Sequence, residues 1–334
     1  MSNPAFDVPY LGVLGGMGPL ASALFMQRLT ALTSAEVDQE HIPTILWSDP
    51  RIPDRTDAKE RGGEDPLPWL VNGANKLKQA GAGAIVIPCN SAHLWYEQLS
   101  AAIDLPILHI VTSVAANLRR VGIHRGRIGL MGATATLRLG LYQRHLEQMD
   151  YECIMPREEE LEPYCMRPIR LVKANRVEEA FPLARRCIEL LQDRGADAIV
   201  LGCTEYPLAV PHAARPSLGI PLVDSIDALA LAAILHVRRL RERTRRLLEH
   251  DALTGLWTRP HFLARAELAL AKAAKAGTPA ALLLFDLDHF KQINDHHGHA
   301  FGDRVLQAVA STLRGLESGE HRFGRLGGEE FALL

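Results

Sequence analysis

The chain contains 334 residues, 47% hydrophobic and 23% charged, and its formal net charge is −2. At about 100–200 residues a domain, this length predicts two or three domains with sizeable cores. The nearly neutral net charge gives no indication of the basic surface with which a protein binds a nucleic acid polymer. The longest fully apolar stretch, residues 228–235, is far shorter than the roughly 20 residues of a membrane-spanning helix, and residues 1–10 lack the pattern of a signal peptide. We therefore expect a cytoplasmic protein with no membrane segment.

Short β-branched segments alternate with amphipathic segments up to about residue 227. The predicted strands are 11–15, 43–47, 84–88, 106–110, 127–131, 151–155, 197–201 and 220–223. The predicted helices are 21–32, 67–80, 113–121, 139–149 and 177–194. This alternation is typical of parallel sheets with helices on both faces, so we expect an α/β fold.

Two of these strand regions occur twice in the chain. Segment 81–91 resembles segment 195–205, and in each an apolar run ends at a cysteine, Cys89 or Cys203. Segment 12–18 is likewise similar to segment 128–134. The duplication predicts two pseudo-symmetric lobes that face one cleft, formed by residues 1–115 with 210–235 and by residues 116–209.

The two repeated cysteines are the strongest candidates for catalysis. Each follows a predicted buried strand and precedes a helix N-terminus, whose dipole would lower the pKa of the thiol from about 8.5. Two thiols on opposite sides of a ligand could remove a proton from a tetrahedral carbon and return one to the other face. We interpret Cys153, Cys165 and Cys187 as core residues, because the five cysteines show no spacing typical of disulfides or zinc.

The pattern changes after residue 227. Residues 229–248 predict one Arg-rich helix whose apolar residues recur every three or four positions, as in a short coiled-coil seam; a solvated connecting helix is the alternative. We treat 228–250 as a linker and 251–334 as a further unit. That unit has predicted helices at 260–276 and 301–314, a strand at 280–286, and a strand on either side of Gly327-Gly328. The seam suggests a homodimer.

Four motifs, at residues 15–22, 52–56, 88–93 and 202–208, resemble the signatures of the aspartate/glutamate racemase superfamily, specifically its aspartate racemase branch. The resemblance covers about residues 8–235. It implies racemisation of a small amino acid without pyridoxal phosphate or another cofactor, with Cys89 and Cys203 as the two bases. Aspartate is favoured over glutamate, with a broader range open, because Glu205 and Gly16-Met17 differ from the residues that glutamate racemases usually carry.

The same resemblance implies individual substrate ligands. Arg55 would bind a substrate carboxylate through its guanidinium fork, and Lys173 would approach the second carboxylate. The other implied substrate ligands are Met17, Asn90, Ser91 and Thr204. A surface arginine, a solvated lysine and ordinary helix caps are the alternative interpretations of these side chains.

The last unit resembles the GGDEF domain of diguanylate cyclases through residues 286–295, 298–303 and 325–331. Hard oxygen ligands at a strand end and on a Gly-Gly hairpin suit Mg²⁺. The resemblance implies that Asp286, the Leu287 carbonyl and Glu329 hold this metal beside GTP. The implied nucleotide ligands are Phe290, Lys291, Asn294, Asp303 and Arg325.

The sequence departs from the GGDEF pattern in two places, and each departure leads to an expectation. The positions of the family's inhibitory product site read Ser-Gly-Glu-His at 318–321, which predicts no feedback through that site. The sequence ends soon after the hairpin, so we expect a domain that is incomplete at its C-terminal end, and its cyclase activity stays open.

Three functions follow as hypotheses. The first is a two-cysteine amino-acid racemase with an appended, incomplete cyclase module. The second is a regulator whose lobes sense an amino acid and control a cyclase that makes cyclic di-GMP from GTP. The third keeps the fold but changes the reaction, to decarboxylation or isomerisation. Retention of both cysteines favours the first, because binding alone needs no opposed bases.

Overall fold

The structure, a computed structural model, describes residues 9–318 and 321–334. It divides into two compact units, Met1–Arg238 and Arg239–Leu334. Residues 1–8, within the stretch expected to lack a signal peptide, and residues 319 and 320, within the expected departure from the product site, lie outside the described residues. In the described part of the chain, no helix has both the length and the apolar character needed to cross a membrane.

The first lobe is built on a parallel sheet of four strands in the order β2-β1-β3-β4. β1 (Tyr10–Gly15) pairs with β2 (Thr44–Ser48) and β3 (Ala82–Val86), and β4 (Ile107–Leu108) pairs with β3. Parallel strands need long crossovers, and helices supply them here. These helices are α1 (Pro19–Leu32), α2 (Arg55–Glu60), α3 (Leu67–Gln79), α4 (Tyr96–Ala102) and α5 (Ile110–Arg120).

Both faces of this sheet are covered at its central strands, β1 and β3. Leu11 and Val13 of β1 join the larger hydrophobic core, whereas Leu14 packs with Ile85 of β3 in a second core on the other face. A strand that is covered on both faces must be apolar at nearly every position, which explains the continuous apolar runs in the sequence.

The second lobe repeats this arrangement, with parallel strands in the order β6-β5-β7-β8. These strands are β5 (Gly126–Met131), β6 (Tyr151–Ile154), β7 (Ala198–Leu201) and β8 (Leu222–Asp224). Its helices are α6 (Thr134–Arg138), α7 (Gln143–Glu147), α8 (Glu158–Glu160), α9 (Arg167–Lys173), α10 (Val177–Asp193) and α11 (Tyr206–Ala209), and α12 (Ser225–Glu249) follows. The predicted parallel α/β fold is confirmed in both lobes.

Two details differ from the sequence prediction. The expectation that residues 210–235 return to the first lobe is wrong for the strand, because β8 pairs with β7, in line with the tendency of consecutive strands to be neighbours. The helix that follows does reach the first lobe, where Arg28 binds Asp227 at 2.6 and 3.0 Å. The helix predicted at 139–149 is shorter than expected and is reduced to α7 (Gln143–Glu147), because Gly140 has φ +66° and the chain is not helical around it.

The second unit contains a mixed sheet in the order β10-β12-β11-β9. β11 (Phe323–Gly327) and β12 (Glu330–Leu333) form the predicted hairpin, β10 (Leu283–Asp286) pairs antiparallel with β12, and β9 (Trp257–Thr258) pairs parallel with β11. The helices are α13 (Arg259–Ala276), α14 (Phe290–His297) and α15 (His299–Gly315). Of these elements, β9 and α14 had no counterpart in the sequence prediction.

Candidate active site

The two repeated cysteines lie in one cleft between the lobes, which we call the cysteine cleft. Its volume is about 220 Å³, and Cys89 of the first lobe and Cys203 of the second both line it. The six predicted substrate ligands line it as well: Met17, Arg55, Asn90, Ser91, Lys173 and Thr204. The structure thus brings together all eight residues that the sequence singled out in these lobes.

The Cys89 side of the cleft is fixed by a buried histidine. His93 Nδ1 donates to the Cys89 carbonyl at 2.9 Å, and its Nε2 accepts from the Ile110 backbone N–H at 3.1 Å. Burial lowers the pKa of His93 to about 4, so the ring is neutral and can fill both roles. The Cys89 thiol lies 3.6 Å from the Ser91 hydroxyl, and Ser91 begins a short 3₁₀ turn that ends at Trp95.

The Cys203 side is different because the thiol has a carboxylate partner. Cys203 Sγ donates to Glu205 Oε2 at 3.0 Å, and the Thr204 hydroxyl donates to the same oxygen at 3.3 Å. Burial, followed by the charge of Glu205, raises the pKa of Cys203 well above its usual value. The expected lowering is wrong for this thiol, because α11 is a single turn whose dipole is weak against burial beside a carboxylate.

Arg55 begins α2, and the cap of that helix fixes its position. Asp54 is the N-cap and accepts from the backbone N–H groups of Thr56 and Asp57 at 2.9 and 3.0 Å. This cap satisfies the first free donors of the helix. Arg55 is therefore held at the first helical position and is only 6% exposed, so the alternative of a solvated surface arginine does not describe it.

The Arg55 guanidinium keeps one side of its fork available. Nη1 donates to the carbonyls of Ile52 and Pro53 at 3.1 and 2.7 Å, and Nη2 donates to the Met17 carbonyl at 3.4 Å. Nε is buried without a partner among the described residues. A guanidinium has five N–H donors, so Nε and one N–H of Nη2 remain, the pair that binds a carboxylate side-on.

Lys173, the last residue of α9, reaches the cleft from the second lobe. Its Nζ lies 3.7 Å from Asp54 Oδ2, and its side chain is 40% exposed. Partial burial lowers the pKa of Lys173, but the negative charges nearby, among them those of Glu205 and Asp54, outweigh this effect and raise it. The ammonium is therefore a stable cation that already faces negative partners.

Asn90 is held by a network that crosses between the lobes. Its Oδ1 accepts from the Tyr142 hydroxyl and its Nδ2 donates to Ser225 Oγ at 3.1 Å. The side chain makes no capping bond to the turn that follows, so the alternative of an ordinary helix cap does not apply. One N–H of the Asn90 amide remains for a ligand.

A larger cavity adjoins the cysteine cleft, and we call it the side chamber. It has a volume of about 840 Å³ and is lined by residues from the start of α1 and the loop before it, from the loop before α2 with Arg55, and from the end of α9. Met17, Asp54, Arg55, Lys173 and Glu205 line both cavities. The loop that carries Met17 can follow this path because Gly16 has φ +96° and a Cβ there would lie 2.4 Å from the backbone of Asp49.

Two residues of the site were missed by sequence reasoning. In the sequence analysis, Glu205 was used only to favour aspartate over glutamate as the substrate and was not placed beside the Cys203 thiol. The signal was visible, because Glu205 occupies the position that Ser91 has in the other repeat. Tyr142 follows Gly140 within a segment predicted as one continuous helix, and no local pattern connects it with Asn90. Only the meeting of the two lobes identifies it.

Among the described residues, one group of three side chains has the proximity of metal ligands, namely His212, Asp224 and Asp227. Arg215 binds Asp224 at 2.7 Å and Arg28 binds Asp227 at 2.6 Å. These two arginines neutralise the charges of the carboxylates, so we interpret the cluster as an ion-pair network at the start of α12.

Comparison with known proteins shows the family of the first domain. Residues 14–233 match the family described as Asp/Glu/Hydantoin racemase. The chain belongs to this family. The Broad specificity amino-acid racemase RacX of Bacillus subtilis is 25% identical over 236 residues, which cover 67% of this chain and 96% of RacX. The solved Picrophilus torridus aspartate racemase is 30% identical, with a TM-score of 0.61, and the match covers 69% of this chain and 94% of that one.

The racemase domain is followed by a unit in which two of the predicted metal ligands, Asp286 and Glu329, influence each other electrostatically. Asp286 ends β10 and pairs in register with Glu330 of β12, next to Glu329 in the hairpin turn. Slight desolvation, followed by the carboxylates of Glu329, Glu330 and Asp288, raises the pKa of Asp286. Carboxylates that raise the pKa of a neighbouring carboxyl are hard oxygen donors of the kind that Mg²⁺ prefers, so Asp286 and Glu329 fit this metal.

The predicted nucleotide ligands are brought together only in part. Asn294 Oδ1 packs against Gly302, the residue before Asp303, where a Cβ would lie 1.9 Å away. Phe290 is in the core of the unit, which leaves only its backbone for a phosphate. Arg325 donates to the Gly328 carbonyl at 2.9 and 2.8 Å and to Asp251 at 3.1 Å, so it secures the hairpin turn.

Lys291 is exposed at the start of α14, and the carbonyl of Leu287 accepts from the Phe290 N–H at 3.3 Å. A cavity of about 380 Å³ in this unit is lined by residues such as Trp257, Arg265 and Arg322 and contains none of the predicted ligands.

Residues 248–334 match the family described as Diguanylate cyclase, GGDEF domain. Diguanylate cyclase VdcA of Vibrio cholerae is 37% identical over 106 residues, which cover 31% of this chain and 30% of VdcA. The chain therefore spans about a third of that cyclase. The chain consists of a racemase domain followed by a GGDEF domain, as the motifs indicated.

Proposed function

We propose that the racemase domain inverts the α-carbon of a free amino acid by moving a proton between it and the thiols of Cys89 and Cys203. One observation carries this proposal: one thiol from each lobe lines the same small cleft, and a buried carboxylate accepts a hydrogen bond from one of them. A binding site alone would need neither the opposed thiols nor the carboxylate.

In one direction Cys89, as a thiolate, takes the α-proton. The C–H bond breaks, an S–H bond forms at Cys89, and the electron pair stays on the substrate, delocalised into its carboxylate. Cys203, held as a thiol beside Glu205, then gives its proton to the opposite face, so its S–H bond breaks and a new C–H bond forms. In the reverse direction Glu205 helps to remove the proton of Cys203.

The free side of the Arg55 fork and the remaining Asn90 N–H support carboxylate binding beside the thiols. Ser91 and Thr204 add hydroxyl groups next to Cys89 and Cys203. Preorganised donors of this kind stabilise the negative charge that develops when the α-proton leaves. Aspartate, which the sequence favours and the Picrophilus torridus relative carries in its name, is the reference substrate.

The proposal is tested by proton NMR of L-amino acids in D₂O with the full, reduced chain, combined with chiral analysis. We expect loss of the α-proton signal together with appearance of the D-enantiomer. The double variant Cys89→Ala, Cys203→Ala should do neither, whereas Cys153→Ala, which changes a cysteine outside the cleft, should match the unmodified chain. Equal exchange by the double variant would contradict the proposal.

A second function is supported by the carboxylates around Asp286 in the GGDEF domain. We propose that Asp286, the Leu287 carbonyl and Glu329 hold Mg²⁺, which neutralises nucleotide phosphates when bound, and that Asn294 and Asp303 contact the base of GTP. Mg²⁺-dependent GTP binding, measured by calorimetry, should be lost in Glu329→Gln and kept in Glu267→Gln on α13. Equal binding by both variants would contradict this assignment.

We also propose a regulatory role, in which the racemase domain controls the GGDEF domain. An amino acid bound in the lobes could change GTP binding or cyclic di-GMP synthesis, and α12 could act in a homodimer. Cyclase assays with and without substrate, in the chain carrying both cysteines and in the double variant, separate sensing from turnover. An effect that survives in the double variant would indicate sensing by binding alone.

A further inference from the structure

The side chamber gives the racemase domain more room than aspartate needs. At about 840 Å³ it is almost four times the size of the cysteine cleft of about 220 Å³, and it falls within the roughly 300–1,000 Å³ of ordinary small-molecule pockets. Met17 and Glu205 are two of the five residues that line both cavities, so the chamber lies directly beside the cleft at these two side chains.

The floor of the side chamber is apolar. Met17, Ala21, Ile52 and Val172 line it and are themselves at most 5% exposed. Hydrocarbon buried against such a surface is stabilised in proportion to the apolar area that it removes from water. A substrate with an aliphatic or aromatic side chain would gain this stabilisation, whereas aspartate is too short to reach most of it.

The cations around the chamber are already matched by anions. Arg51 forms a two-point ion pair with Asp49 at 2.8 and 2.8 Å, and Lys173 lies 3.7 Å from Asp54. Arg55 has a single free carboxylate-binding side. Among the described residues that line the chamber, the free side of Arg55 is thus the one uncompensated position for a carboxylate, and the carboxylate of the amino acid itself fills it.

Glu205 adds an electrostatic barrier at the junction. Its Oε1 is buried without a partner among the described residues, and a Cβ at Gly18, a residue of the chamber wall, would lie 3.4 Å from it. A side-chain carboxylate passing this point would meet a like charge in a desolvated place, which is unfavourable. An uncharged side chain passes without that cost.

From these observations we propose, building on the racemase function above, that the preferred substrates are amino acids with a large uncharged side chain, which lies in the side chamber. Methionine, leucine and phenylalanine are the probes that fit this description. Aspartate and glutamate would be poorer substrates, since their second carboxylate lacks an uncompensated cation.

The test compares α-proton exchange of L-methionine, L-leucine, L-phenylalanine, L-alanine, L-aspartate and L-glutamate in D₂O. We expect kcat/KM for methionine to exceed that for aspartate by at least about tenfold, because a few buried methylene groups are worth that much discrimination. Ala23→Trp fills the chamber from an exposed position of α1 that lines it. It should lower the value for methionine by at least about tenfold and leave that for alanine within about twofold.

Ala101→Trp is the matched control, because Ala101 is an exposed alanine of α4 that does not line the chamber. It should resemble the unmodified chain with every substrate. Faster exchange of aspartate than of methionine, or an equal effect of Ala23→Trp on alanine and methionine, would overturn the inference and leave the racemase proposal standing. Exchange with none of the six amino acids would instead contradict the racemase proposal and remove the basis of the inference with it.

Discussion

The two halves of the cysteine cleft come from the same repeated sequence pattern but offer different chemistry. In the first lobe the residue two positions after the cysteine is Ser91, whose hydroxyl is 3.6 Å from the thiol. In the second lobe it is Glu205, which accepts from the thiol at 3.0 Å. The repeated scaffold thus places one thiol from each lobe in the same cleft, while Glu205 gives the Cys203 thiol alone a carboxylate partner that raises its pKa.

This difference is useful for a reaction that runs in both directions. A thiol that rests protonated is ready to give a proton to one face, and its partner must be ready to remove one from the other face. The raised pKa of Cys203 matches the first task, and Glu205 can accept the proton when the direction reverses.

The largest expected effect comes from removing either thiol. Serine keeps the size of the side chain but is a far weaker acid, so Cys89→Ser and Cys203→Ser should each lower the rate of inversion by about 10³-fold or more. Chiral chromatography of the reaction mixture measures this. Cys153→Ser is the control. Normal inversion by either active-site variant would show that its thiol is not a required base.

The next-largest effect is expected from removing the carboxylate that distinguishes the Cys203 side of the cleft from the Cys89 side. Glu205→Gln keeps the shape but removes the charge, so the pKa of Cys203 should fall and the inversion rate should drop by about 10²-fold. The pH profile of Cys203 alkylation by iodoacetamide, followed by peptide mass spectrometry, should move to lower pH while that of Cys89 stays in place. Glu178→Gln, on an exposed position of α10, should change neither profile, and an unchanged Cys203 profile in Glu205→Gln would contradict the assigned role.

The third effect concerns the histidine that supports only the Cys89 half. His93 has a folded-state pKa of about 4 against about 6.5 in an unfolded chain, so the unfolded state binds more protons between these values. Its contribution to stability is therefore complete above about pH 6.5 and is lost as the pH falls toward 4. From pH 7 to pH 5 the free energy of unfolding should decrease by about 2 kcal/mol on this account.

Urea unfolding of the full chain followed by tryptophan fluorescence checks this, because Trp47, Trp69 and Trp95 of the four tryptophans lie in the racemase domain. His93→Gln should be less stable at pH 7 and should lose less stability on acidification. A variant that keeps the whole pH dependence would assign it to other groups, such as His109, whose pKa burial lowers to about 3.

The smallest effect comes from Tyr142, which supports Asn90 across the lobes. Tyr142→Phe removes one buried hydrogen bond and should cost about 1 kcal/mol of stability, together with a higher KM because the Asn90 amide is less well oriented. Tyr151→Phe is matched to it, since Tyr151 donates at 2.7 Å to Ile123 away from the cleft. Both variants should lose similar stability, and only Tyr142→Phe should change KM. Equal KM values would limit Tyr142 to a structural role.

Much of the architecture could be predicted from the chain, because the information is local or repeated. The apolar runs of β1, β3, β5 and β7 identify the buried strands, and the repeat places Cys89 and Cys203 at equivalent strand ends. The same logic fails for β8, because a three-residue strand has no pattern that tells which sheet it joins. It also fails at Gly140, where a single positive φ interrupts a sequence with good helical periodicity.

The candidate site could also be predicted only in part. Arg55 lies within a recognisable loop motif, so its place in the cleft could be anticipated, whereas its free Nε depends on three carbonyls that only the fold brings to it. The raised pKa of Cys203 could not be predicted from the helix that follows it, because burial and a neighbouring carboxylate dominate. In the GGDEF domain, Phe290 and Arg325 match the motif in sequence, but packing directs one to the core and the other to the hairpin turn.

The most direct measurement of the two-thiol mechanism follows α-proton exchange of each pure enantiomer separately in D₂O with Cys89→Ser and with Cys203→Ser. If each thiol serves one face, each variant should exchange only the enantiomer whose proton faces its remaining cysteine, without inversion, and the two variants should select opposite enantiomers. Exchange of the same enantiomer by both variants, or inversion by either one, would contradict the assignment of one thiol to each face.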